Sequence, residues 1–210
     1  PSGSDIVESG IEQMAGHTSI AYTLWTAGAA GRGAFVSRDG GDSWAFAPFP
    51  GAHYPMVFEF SAWNPLDMYL TSWAQGGEIG KSQDGGATWY SLKDQVLAGV
   101  STDSISSGLY KSAEGRTPSF IHLHGLAVAK SDPSVVYVGS VHDTRNPVDF
   151  NLRGVHLFRS DDGGLTWAEK SSGLPTDART SINAIVVDPM NPDIAVSYTH
   201  LRAHETEADL

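Results

Sequence analysis

Two carboxylates are the side chains of this sequence best suited to acid–base chemistry. Glu59 is the one charged residue in the apolar run Val57-Phe58-Glu59-Phe60. A carboxyl group in such surroundings can act as a general acid or base, or it can simply face water. The sequence favours a carboxylate that faces water. Asp143 ranks next as a candidate acid because it follows the end of a predicted strand directly.

A pair of histidines raises the possibility of metal binding. His122 and His124 are two residues apart, so a strand would point both imidazoles to the same side. Zinc needs a third protein ligand, and the sequence fixes none. The chain has no cysteine, which excludes disulfides and thiolate metal sites. We therefore predict no metal site and no cofactor.

One eight-residue motif occurs three times and organises the whole chain. Its copies begin at Ser37, Ser82 and Ser160, and each reads Ser-x-Asp-Gly-Gly-x-Ser/Thr-Trp. In a tight turn the Asp carboxylate can accept backbone N–H groups, and glycine adopts positive φ at little cost. We call these segments the repeat turns. We predict structural roles for their residues Asp39, Gly41, Trp44, Asp84, Gly86, Trp89, Asp162, Gly164 and Trp167.

The residues around each repeat turn predict strands. A short strand leads into each turn. Further upstream of the second and third turns lie a Tyr-bearing strand and an alternating apolar run. Three strands before the turn and one after it make a four-stranded antiparallel unit, so we predict an all-β fold. The interval from Asp39 to Asp84 is 45 residues, whereas the interval from Asp84 to Asp162 is 78. Two insertions, 93–119 and 142–153, account for the excess.

The repeat turns resemble the Asp-box of BNR-type repeat proteins, which include sialidases, xyloglucanase-type glycoside hydrolases and the sortilin ectodomain. The resemblance implies a partial β-propeller of four-stranded antiparallel blades with Asp-box turns. The implied blades span about residues 6–50, 54–92, 120–172 and 181–196. In such proteins the Asp-box is remote from the ligand, so its aspartates are turn-forming residues rather than catalytic ones.

The same resemblance implies that a ligand lies on the face opposite the Asp-boxes. The loops assigned to that face, including both insertions, carry aromatic, amide and acidic side chains that could stack on a sugar ring and bond to it. The implied ligand-binding residues are His53, Trp73, Gln75, Glu78, His122, His124 and His142, with Glu59 and Asp143 as the implied catalytic acids. Trp73 could equally pack within a blade.

The amino-acid composition limits the classes of partner that this protein is expected to bind. The net charge is −11 and there is no basic run, so nucleic acid is a poor partner. No apolar run has the length of a membrane span. The chain begins at Pro1, so a secreted or periplasmic location rests on the resemblance alone. Residues 197–210 resemble translated sequencing-adapter read-through, and we predict a non-native or disordered tail there.

Two functions follow from the resemblance. The first is a secreted, carbohydrate-active protein similar to glycoside hydrolases, with a polysaccharide as ligand. The second is a non-catalytic propeller that binds a protein or peptide, similar to sortilin or to photosystem assembly factors. The Arg-Ile-Pro segment typical of sialidases is absent, and the catalytic aspartates of xyloglucanase-type enzymes match no segment here. Whether the chain is an enzyme stays open at this point.

Overall fold

A computed structural model of the chain describes residues 11–17, 20–25, 33–37, 39, 41–48, 55–72, 78–100, 110–111, 123–140, 151–152, 155–175 and 180–201. These residues form three four-stranded and two two-stranded antiparallel sheets. The four-stranded sheets follow one another along the chain, and we call each of them, together with the two-stranded sheet that follows the last one, a blade. Within each blade the strands pair in the order in which they occur in the sequence.

The first two blades have the same plan. Blade one consists of β1 (Ile11–His17), β2 (Ile20–Trp25), β3 (Gly33–Ser37) and β4 (Ala45–Pro48). Blade two consists of β5 (Pro55–Phe60), β6 (Met68–Ser72), β7 (Glu78–Ser82) and β8 (Tyr90–Ser91). In both blades the repeat turn connects the third strand to the fourth, as the sequence predicts.

Between β8 and the end of blade three, the described residues form one helix and six strands. These are α1 (Lys93–Ala98), β9 (Tyr110–Lys111), β10 (Leu123–Val128), β11 (Val136–Ser140), β12 (Asn151–Leu152), β13 (Leu157–Ser160) and β14 (Ala168–Glu169). Blade three is β10, β11, β13 and β14, whereas β9 pairs with β12. The two predicted insertions are therefore joined to each other by a short ladder.

Blade four has two strands in the described part of the chain, β15 (Thr180–Val187) and β16 (Ala195–Leu201). The strand β16 extends five residues past position 196, where the repeat pattern stops, so residues 197–201 continue a strand. The origin of the terminal segment stays a prediction, and residues 202–210 lie outside the described part.

Blade three is apolar on both of its faces. Successive side chains of a strand point to opposite faces, and consecutive residues of β10 and β11 are buried. Leu126 and Val128 point to one side and belong to a cluster shared with blade two. Ala127 and Ala129 point to the other side, toward β15. Burial of each large apolar side chain contributes about 1.5–3 kcal/mol, so both inter-blade clusters stabilise the fold. The cluster between blades two and three comprises Tyr69, Ile79, Leu92, Val96, Leu123, Leu126, Val128, Val136, Val138, Phe158 and Trp167.

Two glycines allow blades three and four to approach closely. A Cβ atom added at Gly139 would lie 2.5 Å from Ile182 Cγ2, and one added at Gly125 would lie 2.9 Å from the same atom. Ile182 is fully buried in this position. Any larger residue at Gly139 would push the two sheets apart, so glycine here is a packing requirement.

The helix α1 is a feature that the strand pattern did not predict. Leu92, Val96 and Val100 are spaced four residues apart, and they pack with Trp167 of blade three. Gly99 lies so close that an added Cβ would be 2.4 Å from the Trp167 carbonyl oxygen. Residues 93–100 are the start of the predicted insertion 93–119, and their last turn lies beside the outer strand of blade three, where the Glu169 N–H donates to Gly99 O at 3.2 Å. The four-residue spacing of Leu92, Val96 and Val100 is typical of a helix, and this spacing could have predicted α1.

Candidate functional site

The strand directions give the blades two distinct ends. The repeat turns lie at the same end as the turns that connect the first and second strands, because the Gly85 N–H donates to Leu66 O at 3.0 Å and the Gly163 N–H donates to Ser134 O at 2.8 Å. We call this the turn end. The opposite end, where the second strand leads to the third, is the loop end. Ser140, which ends β11, and Leu157, which opens β13, lie at the loop end.

Most of the predicted ligand-binding residues fall outside the described part of the chain. His53, Trp73, Gln75, His122, His142 and Asp143 belong to this group. The backbone of Glu78 is described: it opens β7 opposite Ser72, which places this residue at the loop end of blade two. For all of these residues a role in ligand binding or catalysis stays a prediction.

His124 is a described candidate, and it connects three blades. Its carbonyl oxygen accepts a hydrogen bond from Thr71 Oγ1 of blade two at 2.8 Å. Its Nδ1 atom lies 3.1 Å from Asn183 O of blade four. Burial lowers the pKa of His124, and the contact with Asn183 opposes that shift only partly. The imidazole is therefore neutral near pH 7, with one ring nitrogen used in holding the blades together.

Glu59 is the second described candidate, and it lies toward the turn end of β5. It pairs with Tyr69 in the ladder and is four residues from Pro55 at the loop end, which is roughly 13 Å along a strand. Burial raises the pKa of Glu59 to about 7, although the positive charge of Lys130 acts in the opposite direction. The side chain can thus exchange a proton near neutral pH, but its position separates it from the loop end.

The three repeat turns share one hydrogen-bond pattern. In blade three Asp162 Oδ1 accepts from the Ser160 hydroxyl and from the Thr166 N–H, both at 2.8 Å, and Asp162 Oδ2 accepts from the Thr166 hydroxyl at 2.5 Å. Trp167 Nε1 donates to Gly164 O at 3.0 Å and closes the turn. The same bonds recur around Asp39 and Asp84. Both oxygens of each carboxylate are engaged within the turn, which is what a turn-forming role requires.

The repeat turn of blade three is also held by blade two. Tyr69 Oη donates to Gly163 O at 3.0 Å, and Lys81 Nζ donates to the same oxygen at 2.7 Å. Tyr69 and Lys81 are paired across β6 and β7. Burial lowers the pKa of Lys81, while the negative charges of Asp67 and Asp162 oppose that shift. Sequence reasoning missed this contact, although a Tyr and a basic residue recur at Tyr137 and Arg159, which also pair with each other.

A buried histidine–carboxylate pair is the other feature that the sequence did not reveal. His156 Nδ1 lies 2.7 Å from Glu169 Oε1, and both side chains are almost fully buried. The Ser171 hydroxyl donates to the same Glu169 oxygen at 2.9 Å, and the His156 N–H donates to Ser140 Oγ at 2.9 Å. This network ties the chain entering β13 to β14 and β11. Its burial keeps a bulky ligand away from it.

Among the described residues, no group of three or more His, Asp or Glu side chains is positioned to hold a metal ion. In the same part of the chain, no helix is long and apolar enough to cross a membrane.

Comparison with known proteins identifies the class of fold. No family model and no curated protein matches the sequence. The GH74 xyloglucanase from Xanthomonas campestris superposes with a TM-score of 0.57 at 19% identity, covering 89% of this chain and 25% of that one. An ancestral GH74 enzyme superposes with a TM-score of 0.56 at 13% identity, covering 85% of this chain and 20% of that one. YCF48 bound to D1 peptide aligns with a TM-score of 0.33, which is too low to support an argument.

These likenesses show the fold. The chain is part of an all-β propeller built of four-stranded antiparallel blades, and this prediction from the sequence is confirmed. The chain spans a quarter or less of the length of the two GH74 enzymes.

Proposed function

We propose that this chain is part of a carbohydrate-active propeller that binds a polysaccharide at the loop end of its blades and acts on it as a glycoside hydrolase. The observation that carries the proposal is the superposition on two GH74 enzymes, which extends over 89% and 85% of the chain. One of those proteins is a xyloglucanase, so a xyloglucan-type polysaccharide is the proposed substrate class. Such a polymer is extracellular, and a secreted or periplasmic location belongs to the same proposal.

The geometry of the blades supports the loop end as the binding region. At the turn end, polar groups of the repeat turns are used in hydrogen bonds within each turn and with the neighbouring turn of the same blade. The connection between β11 and β13 starts and ends at the loop end and is 16 residues long, and its strand β12 pairs with β9 of the other insertion. Long loops held on a rigid scaffold are where ligand-binding residues are usually found.

The proposed acids follow from the same placement. Glycoside hydrolysis requires two carboxyl groups about 5–9.5 Å apart across the scissile bond. Glu78 opens β7 at the loop end, and Asp143 follows the last residue of β11 by three positions in the sequence. We assign the acid–base roles to loop-end carboxylates of this kind. Glu59 has a suitable pKa, but its place toward the turn end makes it the weaker candidate.

A matched pair of tryptophan substitutions tests the proposal. Trp73 belongs to the predicted binding loops, whereas Trp63 lies in the turn between β5 and β6 and is 71% exposed at the turn end. Xyloglucan oligosaccharides are titrated against the wild type, Trp73→Ala and Trp63→Ala while Trp fluorescence and released reducing ends are followed. Loss of a stacking platform should weaken binding by about tenfold or more in Trp73→Ala, as for other aromatic contacts worth about 1–2 kcal/mol. Trp63→Ala should bind as the wild type does.

Two results would count against this function. Equal weakening by both substitutions would mean that the ligand does not select the loop end. Neither binding nor hydrolysis across a panel of xyloglucan and β-glucan oligosaccharides would favour the alternative, a propeller that binds a protein or peptide.

A further inference from the structure

Each repeat turn contains an Asp-Gly pair, a dipeptide that is prone to isomerise. Blades two and three contain Asp84-Gly85 and Asp162-Gly163, and blade one contains Asp39-Gly40, of which Gly40 lies outside the described residues. Glycine has no Cβ atom, so its backbone nitrogen approaches the preceding side chain with little steric hindrance. An Asp-Gly bond is therefore open to modification without an enzyme wherever its conformation permits this approach.

The modification converts aspartate into isoaspartate, and it needs no reactant other than water. The glycine nitrogen attacks the aspartate Cγ atom, a C–N bond forms, and the amide proton leaves with the hydroxyl group of the protonated carboxyl as water. Water then adds to the α-carbonyl group of the resulting succinimide and breaks the bond between that group and the nitrogen. The product is an isomer of the starting chain. Its glycine is joined through the β-carboxyl group, and its α-carboxylate is free.

The folded turn of blade two holds both reacting groups in other contacts. Asp84 Oδ1 accepts hydrogen bonds from the Ser82 hydroxyl and from the Thr88 N–H, both at 2.8 Å, and Asp84 Oδ2 accepts one from the Thr88 hydroxyl at 2.5 Å. The Gly85 N–H donates to Leu66 O at 3.0 Å. The carboxylate is thus bound to the residue four positions ahead, and the attacking nitrogen is bound to a different turn.

The hydrogen bonds also make the carboxyl group less reactive. Attack on Cγ releases water readily from a protonated carboxyl group but not from a carboxylate. The hydroxyl and the N–H of Thr88 lower the pKa of Asp84 to about 2, so the protonated fraction at neutral pH is smaller than at the ordinary value of 3.8. For Asp162, burial acts to raise the pKa, but the hydrogen bonds from Thr166 and Ser160 outweigh it and lower the pKa.

Blade three has the same arrangement with a further restraint from blade two. The Gly163 N–H donates to Ser134 O at 2.8 Å, which occupies the attacking nitrogen. The Gly163 carbonyl accepts hydrogen bonds from Tyr69 Oη and Lys81 Nζ. Rotation of the backbone at Asp162 into the reactive conformation therefore requires that the turn separate from its own blade and from the preceding one.

We propose that Asp84-Gly85 and Asp162-Gly163 are isoaspartate-forming sites that the folded repeat turn blocks, so that each site reacts only when its own turn opens. The rate of modification then follows the population of the open turn, as for other reactions that require local unfolding. The modified turn cannot close again in the native geometry, because its main chain is one carbon longer and its carboxylate is attached directly to Cα. Isoaspartate thus marks the chains whose turns have opened.

A comparison of the full chain with two peptides tests the block. The peptides have the sequences of residues 80–92 and 158–170 and report the rate without the fold. All samples are incubated near neutral pH, and isoaspartate at each site is measured by mass spectrometry of proteolytic fragments. We expect the folded chain to react at least about tenfold more slowly than the matching peptide at each site, and the urea-unfolded chain to react at the peptide rate.

Thr88→Val tests whether the bonds to the carboxylate are the block. Valine keeps the branched shape and the N–H of threonine but lacks the hydroxyl that donates to Asp84 Oδ2. Thr88→Ser keeps a hydroxyl, as Ser43 does in blade one, and is the matched control. We expect Thr88→Val to raise the rate at Asp84 by about fivefold or more and to leave the rate at Asp162 within about twofold of the wild type. Thr88→Ser should stay within about twofold at both sites.

Three outcomes would overturn the proposal. The first is isoaspartate formation in the folded wild type as fast as in the peptides. The second is no isoaspartate in the peptides or in the unfolded chain. The third is a folded Thr88→Val chain, as judged by circular dichroism, that reacts at the wild-type rate or reacts equally faster at Asp84 and Asp162, since the single turn would then not be the unit that opens. If Thr88→Val does not fold, the comparison of the wild type with the peptides decides alone.

Discussion

At the scale of single residues, the carboxylates of this chain differ because their surroundings differ. In Asp39 and Asp84, hydrogen bonds from the hydroxyl and N–H of Ser43 and Thr88 lower the pKa to about 2. In Glu59, burial raises the pKa to about 7. The turn aspartates are thus permanently charged and engaged, whereas Glu59 changes its charge near neutral pH.

Substitution of Glu59 should change how stability depends on pH. The protonated form is favoured in the folded state, so its contribution is fully present below the ordinary value of 4.5 and is lost as the pH rises through about 7. The loss is on the order of 3–4 kcal/mol, since the pKa rises from 4.5 to about 7 and a tenfold change in an ionisation constant corresponds to about 1.4 kcal/mol. Glu59→Gln should remove this decline and be more stable than the wild type at pH 8.

Urea unfolding between pH 4 and pH 8 measures the effect. Asp42→Asn, which changes an exposed carboxylate in the first repeat turn, is the control and should keep the wild-type profile. Parallel profiles for Glu59→Gln and the wild type would show that Glu59 does not titrate in this range.

At the scale of the element, each repeat turn is a small unit that fixes a hairpin. Trp44 is 37% exposed, whereas Trp167 is 7% exposed, although both make the same bond to a turn carbonyl. The difference lies in the neighbours, because Leu92 and Val96 of the preceding blade and its helix pack with Trp167. The turn therefore forms locally, and its burial depends on the next element.

Asp162→Ala should destabilise the chain without changing the affinity of the folded protein for a loop-end ligand. The substitution removes the acceptor of three hydrogen bonds at the turn end, so it should cost about 1–3 kcal/mol of unfolding free energy. Leu165→Ala, at an exposed position of the same turn, should change stability by less than about 0.5 kcal/mol. Thermal and urea unfolding compare the two variants. An unchanged melting temperature in Asp162→Ala would contradict the structural role of this carboxylate.

At the scale of the whole molecule, the blades are coupled by packing and by a few polar contacts. Tyr69 Oη and Lys81 Nζ both bind Gly163 O, and Lys81 Nζ lies 5.1 Å from the centre of the Tyr69 ring. His124 connects blades two, three and four in a similar way at the inner strands. Such contacts fix the relative positions of sheets that apolar packing alone would hold less specifically.

Removing both donors should show that they act as one unit. Tyr69→Phe and Lys81→Met should each cost about 1 kcal/mol, because one donor to Gly163 O remains in each variant. The double variant leaves a buried carbonyl without its two donors, so its cost should exceed the sum of the single effects by about 1 kcal/mol. A double-mutant cycle in urea measures this coupling, with the exposed Lys170→Met as the control for loss of a lysine. Additive costs would show that the two contacts are independent.

The sequence by itself determined the repeating unit of this protein. Turn geometry depends on a few adjacent residues, so Ser160, Asp162, Gly164 and their two sets of counterparts were sufficient to predict the turns, and the repeated strand patterns upstream of them predicted the four-stranded blades. The alternation of apolar residues upstream of the turns then predicted where the strands lie. These properties are local or periodic, and they can be read without knowing where distant residues lie.

Only the tertiary structure decided how the blades meet. The contact of Lys81 with Gly163, the fit of Ile182 against Gly139 and the packing of α1 on Trp167 join residues that are far apart in sequence. The raised pKa of Glu59 is likewise a property of its burial between sheets. Distance and burial depend on the relative placement of the blades, and no short stretch of sequence carries that information.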